Sequence, residues 1–142
     1  MILGAGAGKE KIIKKINKLG LNQKIKLENW TNDLAAHYKS ADLFLLTSNY
    51  EGWGMSLIEA MASGLPVITT DVGCTRETLR HEENGLVAPV GDKRSLAMEI
   101  IRIINDKDLR NRLAKQALSD VKNLPTKQEY LSQYKKSWEA IL

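Results

Sequence analysis

Residues 43–70 read LFLLTSNYEGWGMSLIEAMASGLPVITT, and the succession of patterns inside this stretch decides the fold. Leu43-Phe44-Leu45-Leu46 is a continuous apolar run, the pattern of a strand buried on both faces of a parallel sheet. A polar loop, Thr47–Trp53, leads into a helix expected from about Gly54 to Ala62, which Ser63-Gly64 closes. Pro66 then opens a second strand, Val67–Thr70. Strand, helix and strand at this spacing form a βαβ unit.

The same alternation continues on either side. Met1-Ile2-Leu3 looks like the end of a strand and runs into the glycine-rich turn Gly4–Gly8. A helix follows, with Ile12, Ile13, Ile16 and Leu19 on one face, and Gly20 stops it. Ile25–Leu27 is a short strand, and Thr31 or Asn32 caps a helix carrying Leu34, Ala35 and Tyr38. Downstream, the turn Glu83-Asn84-Gly85 precedes a strand at Leu86–Ala88. Helices are predicted over 94–104, 109–122 and 127–141. The class is therefore α/β: an open parallel sheet with helices on both faces. We divide the chain into a sheet domain at 1–125 and a terminal helix at 126–142. A doubly wound domain seldom starts on a bare strand, so the amino terminus reads as a cut through a larger fold.

Composition narrows the function classes. A chain of 142 residues, 43% hydrophobic and 27% charged, has the makings of one soluble domain with a real core. One cysteine, Cys74, fits a reducing compartment, and two histidines with one cysteine make a zinc site improbable; no metal is expected. No apolar run is long enough to span a bilayer and no basic n-region precedes Ile2-Leu3, so a cytoplasmic protein is expected, peripheral to a membrane at most. The net charge of +4 could suggest nucleic acid, but its distribution argues against that. Residues 41–100 hold nine acidic and four basic groups, so the motif-rich middle would repel a phosphate backbone. The surplus lysines sit on the flanking helices as solvated faces.

The chemistry gathers in the loop and helix of residues 48–62. In an open α/β sheet, ligands bind at the carboxyl ends of the strands, where Glu51 falls. Gly52 and Gly54 let the backbone approach a ligand closely, with Trp53 between them. The amides of Gly54, Met55 and Ser56 open the helix, where unpaired N–H groups favour an anion such as a diphosphate. Carboxylates accept hydrogen bonds from hydroxyls, so Glu51 and Glu59 suit a ligand rich in hydroxyl groups. Glu59 stands in an otherwise apolar helix with no basic residue three or four positions away, so it needs a partner from elsewhere or a ligand. The plainer alternatives are a helix-start acid for Glu59 and a loop acid for Glu51.

Glu51-Gly-Trp-Gly-Met-Ser-Leu-Ile-Glu59, followed by Ala60-Met61-Ala62-Ser63-Gly64-Leu65-Pro66-Val67, closely resembles the signature of family 4 (group 1) of the retaining glycosyltransferases. Ala41–Leu46, Thr70–Gly73 with Glu77, and Asn84–Val87 with Gly91-Asp92 extend the likeness over roughly residues 1–105. The resemblance implies the carboxy-terminal, donor-binding half of a two-Rossmann-domain (GT-B) enzyme. Its donor would be a UDP-, GDP- or ADP-linked sugar, and an amino-terminal half would hold the acceptor. By the same likeness, Glu51 contacts the transferred sugar and is the catalytic candidate, while Glu59 contacts the ribose. Gly52, Trp53 and the backbone of Gly54–Ser56 lie near the sugar and diphosphate, and Asn29-Trp30-Thr31 aligns with the base-contacting loop. Retention of anomeric configuration is implied too, without a required covalent intermediate.

Two departures stand out. The family's diphosphate-gripping Arg and Lys have no counterpart upstream of the motif, since Lys9 and Lys11 lie past the Gly4–Gly8 turn; Cys74 takes a position where glycine is common. His37 and His81 are read as non-catalytic. On the last helix, Tyr130, Leu131, Tyr134, Trp138, Ile141 and Leu142 form an apolar stripe that, without its partner domain, would be exposed in part and favour self-association. The alternatives are a non-catalytic nucleotide-binding or regulatory module, a sugar-nucleotide epimerase and a plain interaction domain; the paired glutamates disfavour the last two.

Overall fold

The computed structural model describes residues 1–4 and 6–140, in two compact units, 1–34 and 35–142. The ends of the terminal stripe at Ile141 and Leu142 lie outside the described residues.

In the first unit, β1 (Ile2–Leu3) and β2 (Leu27–Glu28) pair in parallel, Ile2 opposite Leu27. Helix α1 (Lys9–Lys18) crosses between them. Of its four predicted apolar positions only Ile16 is buried.

The second unit is a three-stranded parallel sheet in the order β3-β4-β5, made of Phe44–Leu46, Val67–Thr70 and Leu86–Ala88. Helices α2 (Leu34–Lys39) and α3 (Met55–Ala62) flank β3 in sequence. Then come α4 (Thr75–Thr78), α5 (Lys93–Asn105), α6 (Lys107–Lys122) and α7 (Lys127–Glu139). Parallel strands with helices on both sides give the Rossmann-like arrangement expected. The hydrogen-bonded ladders fall into two groups, one in each unit.

All four residues of central β4 are buried. Leu43–Leu46 was expected to be buried on both faces, yet β3 is only half-buried and Leu45 is 39% exposed. Edge position alone does not explain the difference, since β5 is also an edge and buries Leu86 and Ala88; α5 packs along β4 and β5, and β3 has less helix against it. The core proper joins Ile68 and Leu86 of the sheet to Ile103, Leu109 and Leu113 of α5 and α6. Helix starts are capped by Asp92, Asp106 and Thr126, the last in a reciprocal capping box with Glu129. Helix α7 buries no described residue, and Tyr130, Leu131, Tyr134 and Trp138 all lie exposed along it, Tyr134 edge-on to both aromatic neighbours. No described helix is long and apolar enough to cross a membrane.

Asn84 is the polar knot of the second unit. Fully buried, its side chain accepts from the Arg80 amide (2.7 Å) and donates to the Thr78 carbonyl (2.9 Å) and the Asp120 carboxylate (2.6 Å). It thereby ties the end of α4 to α6, and Arg80 reinforces the tie by bonding Asp120. Buried groups that lose a partner carry their desolvation cost uncompensated. Replacing Asn84 by Ala should therefore lower the unfolding free energy by about 1–3 kcal/mol in urea titration, a loss characteristic of orphaned buried polar groups.

Candidate functional site

The site is assembled where β3 and β4 end. After β3, the loop 47–53 carries Glu51 outward, and a string of hydroxyls fixes it. Thr70, the last residue of β4, donates from Oγ1 to the Ser48 carbonyl at 2.6 Å. Ser48 in turn donates from Oγ to Oε1 of Glu51 at 2.6 Å. One carboxylate oxygen is thus held by the protein, and Oε2 has no partner among the described residues.

Gly54 makes the turn into α3 with φ +91°, in the left-handed region that only glycine enters without strain. No side chain caps this helix start, and the amides of Met55 and Ser56 meet no acceptor among the described residues. Four unpaired N–H groups and the positive end of the dipole are the ordinary condition of such a terminus. Here the first two, at Met55 and Ser56, remain open, while the Leu57 amide donates to the Gly54 carbonyl at 2.9 Å.

Glu59 lies one turn further along α3, half-buried. Its partner is a residue that sequence reasoning placed only as packing. Tyr38 of α2 donates its hydroxyl to Oε2 of Glu59 at 3.0 Å and lies 3.4 Å from the Ser56 carbonyl oxygen. The Tyr38 ring stands edge-on to Phe44 of β3, centroids 5.9 Å apart, so the sheet aims the hydroxyl. Burial, then the hydrogen bond and the nearby negative charge of Glu59, push the Tyr38 phenol up to about 12. The phenol stays protonated at neutral pH and remains a donor, which leaves Oε1 of Glu59 available.

A second segment closes the site from the other side. The turn 71–74 after β4 packs onto the loop at Glu51–Trp53, with the Cys74 amide donating to the Trp53 carbonyl at 2.7 Å. Gly73, at φ +55°, makes this approach possible: a Cβ there would stand 2.5 Å from the Trp53 carbonyl oxygen and 3.0 Å from Cβ of Glu51. Cys74 is buried, with Sγ 4.0 Å from the Gly54 carbonyl, which suits its reading as a packing residue. Between the two segments lies a cavity of about 290 Å³, lined by Asn49, Tyr50, Glu51, Asp71, Gly73 and Arg76 among others. Helix α4, which carries Arg76, was not foreseen: Thr75-Arg76-Glu77-Thr78 shows no apolar period, and its single turn is set by the packing of Cys74 and Thr75.

Gly52, Trp53, Gly54, Met55 and Ser56 are therefore contiguous with Glu51 and Glu59 at one end of the sheet, Trp53 and Met55 exposed there. Asn29, Trp30 and Thr31 belong to the first unit, directly after β2. Trp30 is 69% exposed, and Asn29 accepts from Lys9 Nζ at 2.6 Å. His81 accepts the Val87 amide at Nδ1 (3.0 Å), a structural role. No cluster of three or more metal-ligating side chains occurs among the described residues.

A parallel α/β scaffold with two glutamates around an open helix start defines a class of site suited to an anionic, hydroxyl-rich ligand. Residues 1–120 match the glycosyl transferases group 1, and the chain belongs to that family. It is 30% identical over 115 residues to the lipopolysaccharide core biosynthesis glycosyltransferase LpsE of Rhizobium meliloti, covering 81% of this chain and 34% of that protein. The sucrose-phosphate synthase structure from Thermosynechococcus elongatus superposes with a TM-score of 0.83 at 30% identity, over 96% of this chain and 35% of that one. The Anabaena HepE structure in complex with UDP and glucose superposes with a TM-score of 0.80 at 25% identity, over 99% and 40%. The chain thus spans about a third of the length of the curated relative.

The interlock at Gly73 is testable. Gly73→Ala should cost about 1–3 kcal/mol of stability, since it adds left-handed strain to a backbone collision. Gly52→Ala, with open space around its Cβ, should change stability by less than about 1 kcal/mol. The indole resonance of Trp53 should move in the first variant and stay in the second.

Proposed function

We propose that this chain is the donor-binding half of a retaining glycosyltransferase, one that takes its sugar from a nucleoside diphosphate. The observation that supports this most is the arrangement around α3. Two glutamates, each with one oxygen held by the protein and the other without a partner among the described residues, flank open first-turn amides. The amides of Met55 and Ser56 suit the diphosphate, Glu59 the ribose hydroxyls and Glu51 the sugar hydroxyls. Asn29-Trp30-Thr31 is assigned to the base. The complex of the structurally similar Anabaena protein with UDP and glucose supports the ligand class, and we take a uridine, guanosine or adenosine diphosphate sugar as donor, with no metal.

The reaction proposed is transfer with retention. The bond from the anomeric carbon to the diphosphate oxygen breaks, and the acceptor oxygen bonds to that carbon on the same face. The acceptor's proton passes to the departing diphosphate. Glu51 would act by positioning the sugar and stabilising positive charge as it develops on the ring. The acceptor, whether glycan, lipid or small molecule, would be presented by an amino-terminal domain, and turnover would need that domain.

Calorimetric titration with UDP, GDP and ADP and their sugars tests the reading. Glu59→Ala should weaken the preferred nucleotide about 10–100-fold, the worth of a charge-assisted hydrogen-bond pair, with a smaller loss of stability because the Tyr38 hydroxyl loses its 3.0 Å acceptor. Equal affinity in variant and parent would remove the ribose assignment. Glu51→Ala should reduce affinity for the sugar nucleotide while leaving the bare nucleotide within about twofold. A transfer assay of the chain alone and with an amino-terminal half supplied separates an enzyme half from a binding module.

A further inference from the structure

Beside Glu51, the cavity of about 290 Å³ sits at the bottom of the range of about 300–1,000 Å³ for small-molecule sites, so it suits one sugar ring and not a whole sugar nucleotide. Its charged walls come from two segments fixed to the same strand end. Asp71 follows β4 directly, and its amide donates to the Ala88 carbonyl at 3.2 Å, so its backbone continues the ladder toward β5. Glu51 is anchored to that strand end through Ser48 and Thr70. Arg76 reaches back from α4 and forks onto Asp71, with Nε 3.0 Å from both carboxylate oxygens and Nη2 2.8 Å from Oδ2.

We propose that Asp71, aligned by Arg76, restricts the sugar pocket to uncharged hexosyl groups and rejects hexuronates, an inference that rests on the donor-site reading above. The cavity carries two acids against one guanidinium, and that guanidinium already spends its fork on Asp71. A neutral sugar brings hydroxyls that donate to the carboxylates and accept from Nη1 of Arg76. A hexuronate brings a third carboxylate, which would face two like charges against a single guanidinium whose charge is already shared with Asp71. As an exposed pair without a ligand, Asp71 and Arg76 would contribute almost nothing measurable to stability, which sets their role in recognition apart from one in folding. The fork also holds the Asp71 carboxyl below the usual carboxylate range, so the discrimination persists throughout neutral pH.

The 142-residue chain and two variants, Asp71→Asn and Arg76→Gln, are titrated with UDP, UDP-glucose and UDP-glucuronate. The parent should bind UDP-glucose about tenfold more tightly than UDP-glucuronate, equivalent to about 1.4 kcal/mol. Asp71→Asn should compress that ratio at least about threefold, Arg76→Gln should widen it, and UDP alone should bind all three proteins alike. A parent that favours the uronate, or a ratio untouched by both substitutions, overturns the inference and leaves the donor site standing. Failure of all three ligands to bind the parent overturns the donor-site reading itself, and this inference with it.

Discussion

The hydrogen bond from the Cys74 amide to the Trp53 carbonyl, and the bare Cα of Gly73 that permits it, hold the site together. The segments they join end different strands, β3 and β4, and neither has regular structure where they meet. Without that contact, the loop bearing Glu51 would be a surface loop held to the sheet by the Thr70 hydroxyl on the Ser48 carbonyl. With it, Glu51, the Gly54 turn and the first amides of α3 keep a fixed relation to the sheet. A methyl group at Gly73 is enough to prevent the approach. Loops that carry function are commonly placed by a rigid scaffold, and here the scaffold extends into the loops by one amide.

Glu59 is positioned by a different device. A carboxylate in an apolar helix demands a partner, and Tyr38 supplies one from a neighbouring helix while remaining protonated at neutral pH. The phenol satisfies one oxygen and fixes the rotamer. In the donor site proposed, a ligand hydroxyl would meet a carboxylate that needs little further ordering, which would lower the entropic cost of recognition. The two glutamates of the motif are thus prepared in the same way, one by Ser48 and one by Tyr38.

How far the sequence could be read depended on the range of the interactions. The βαβ unit at 43–70, the helix opening at Gly54 and the strand after Asn84 are local patterns, and each lies within a residue or two of its expected place. Burial of Leu45 depends on which strands the helices cover, which no apolar run encodes. Tyr38 was visible as an apolar position but not as the partner of Glu59, because that pairing joins helices 21 residues apart. The same holds for Gly73: its neighbourhood was legible as a loop, whereas its contact with Trp53 is tertiary. Helix α4 escaped for a simpler reason, being one turn of Thr, Arg and Glu with no periodicity to find. The family signature compensated in part, since it singled out Glu51 and Glu59 without any knowledge of what holds them.

The central claim is a location: a sugar diphosphate over the opening turn of α3. Amide chemical-shift mapping with saturating UDP-glucose on uniformly labelled chain addresses it most directly. The account predicts the largest changes at Gly54, Met55 and Ser56, flanked by changes at Glu51 and Glu59. Saturable shifts confined to some other surface, with those five amides unmoved, would contradict it.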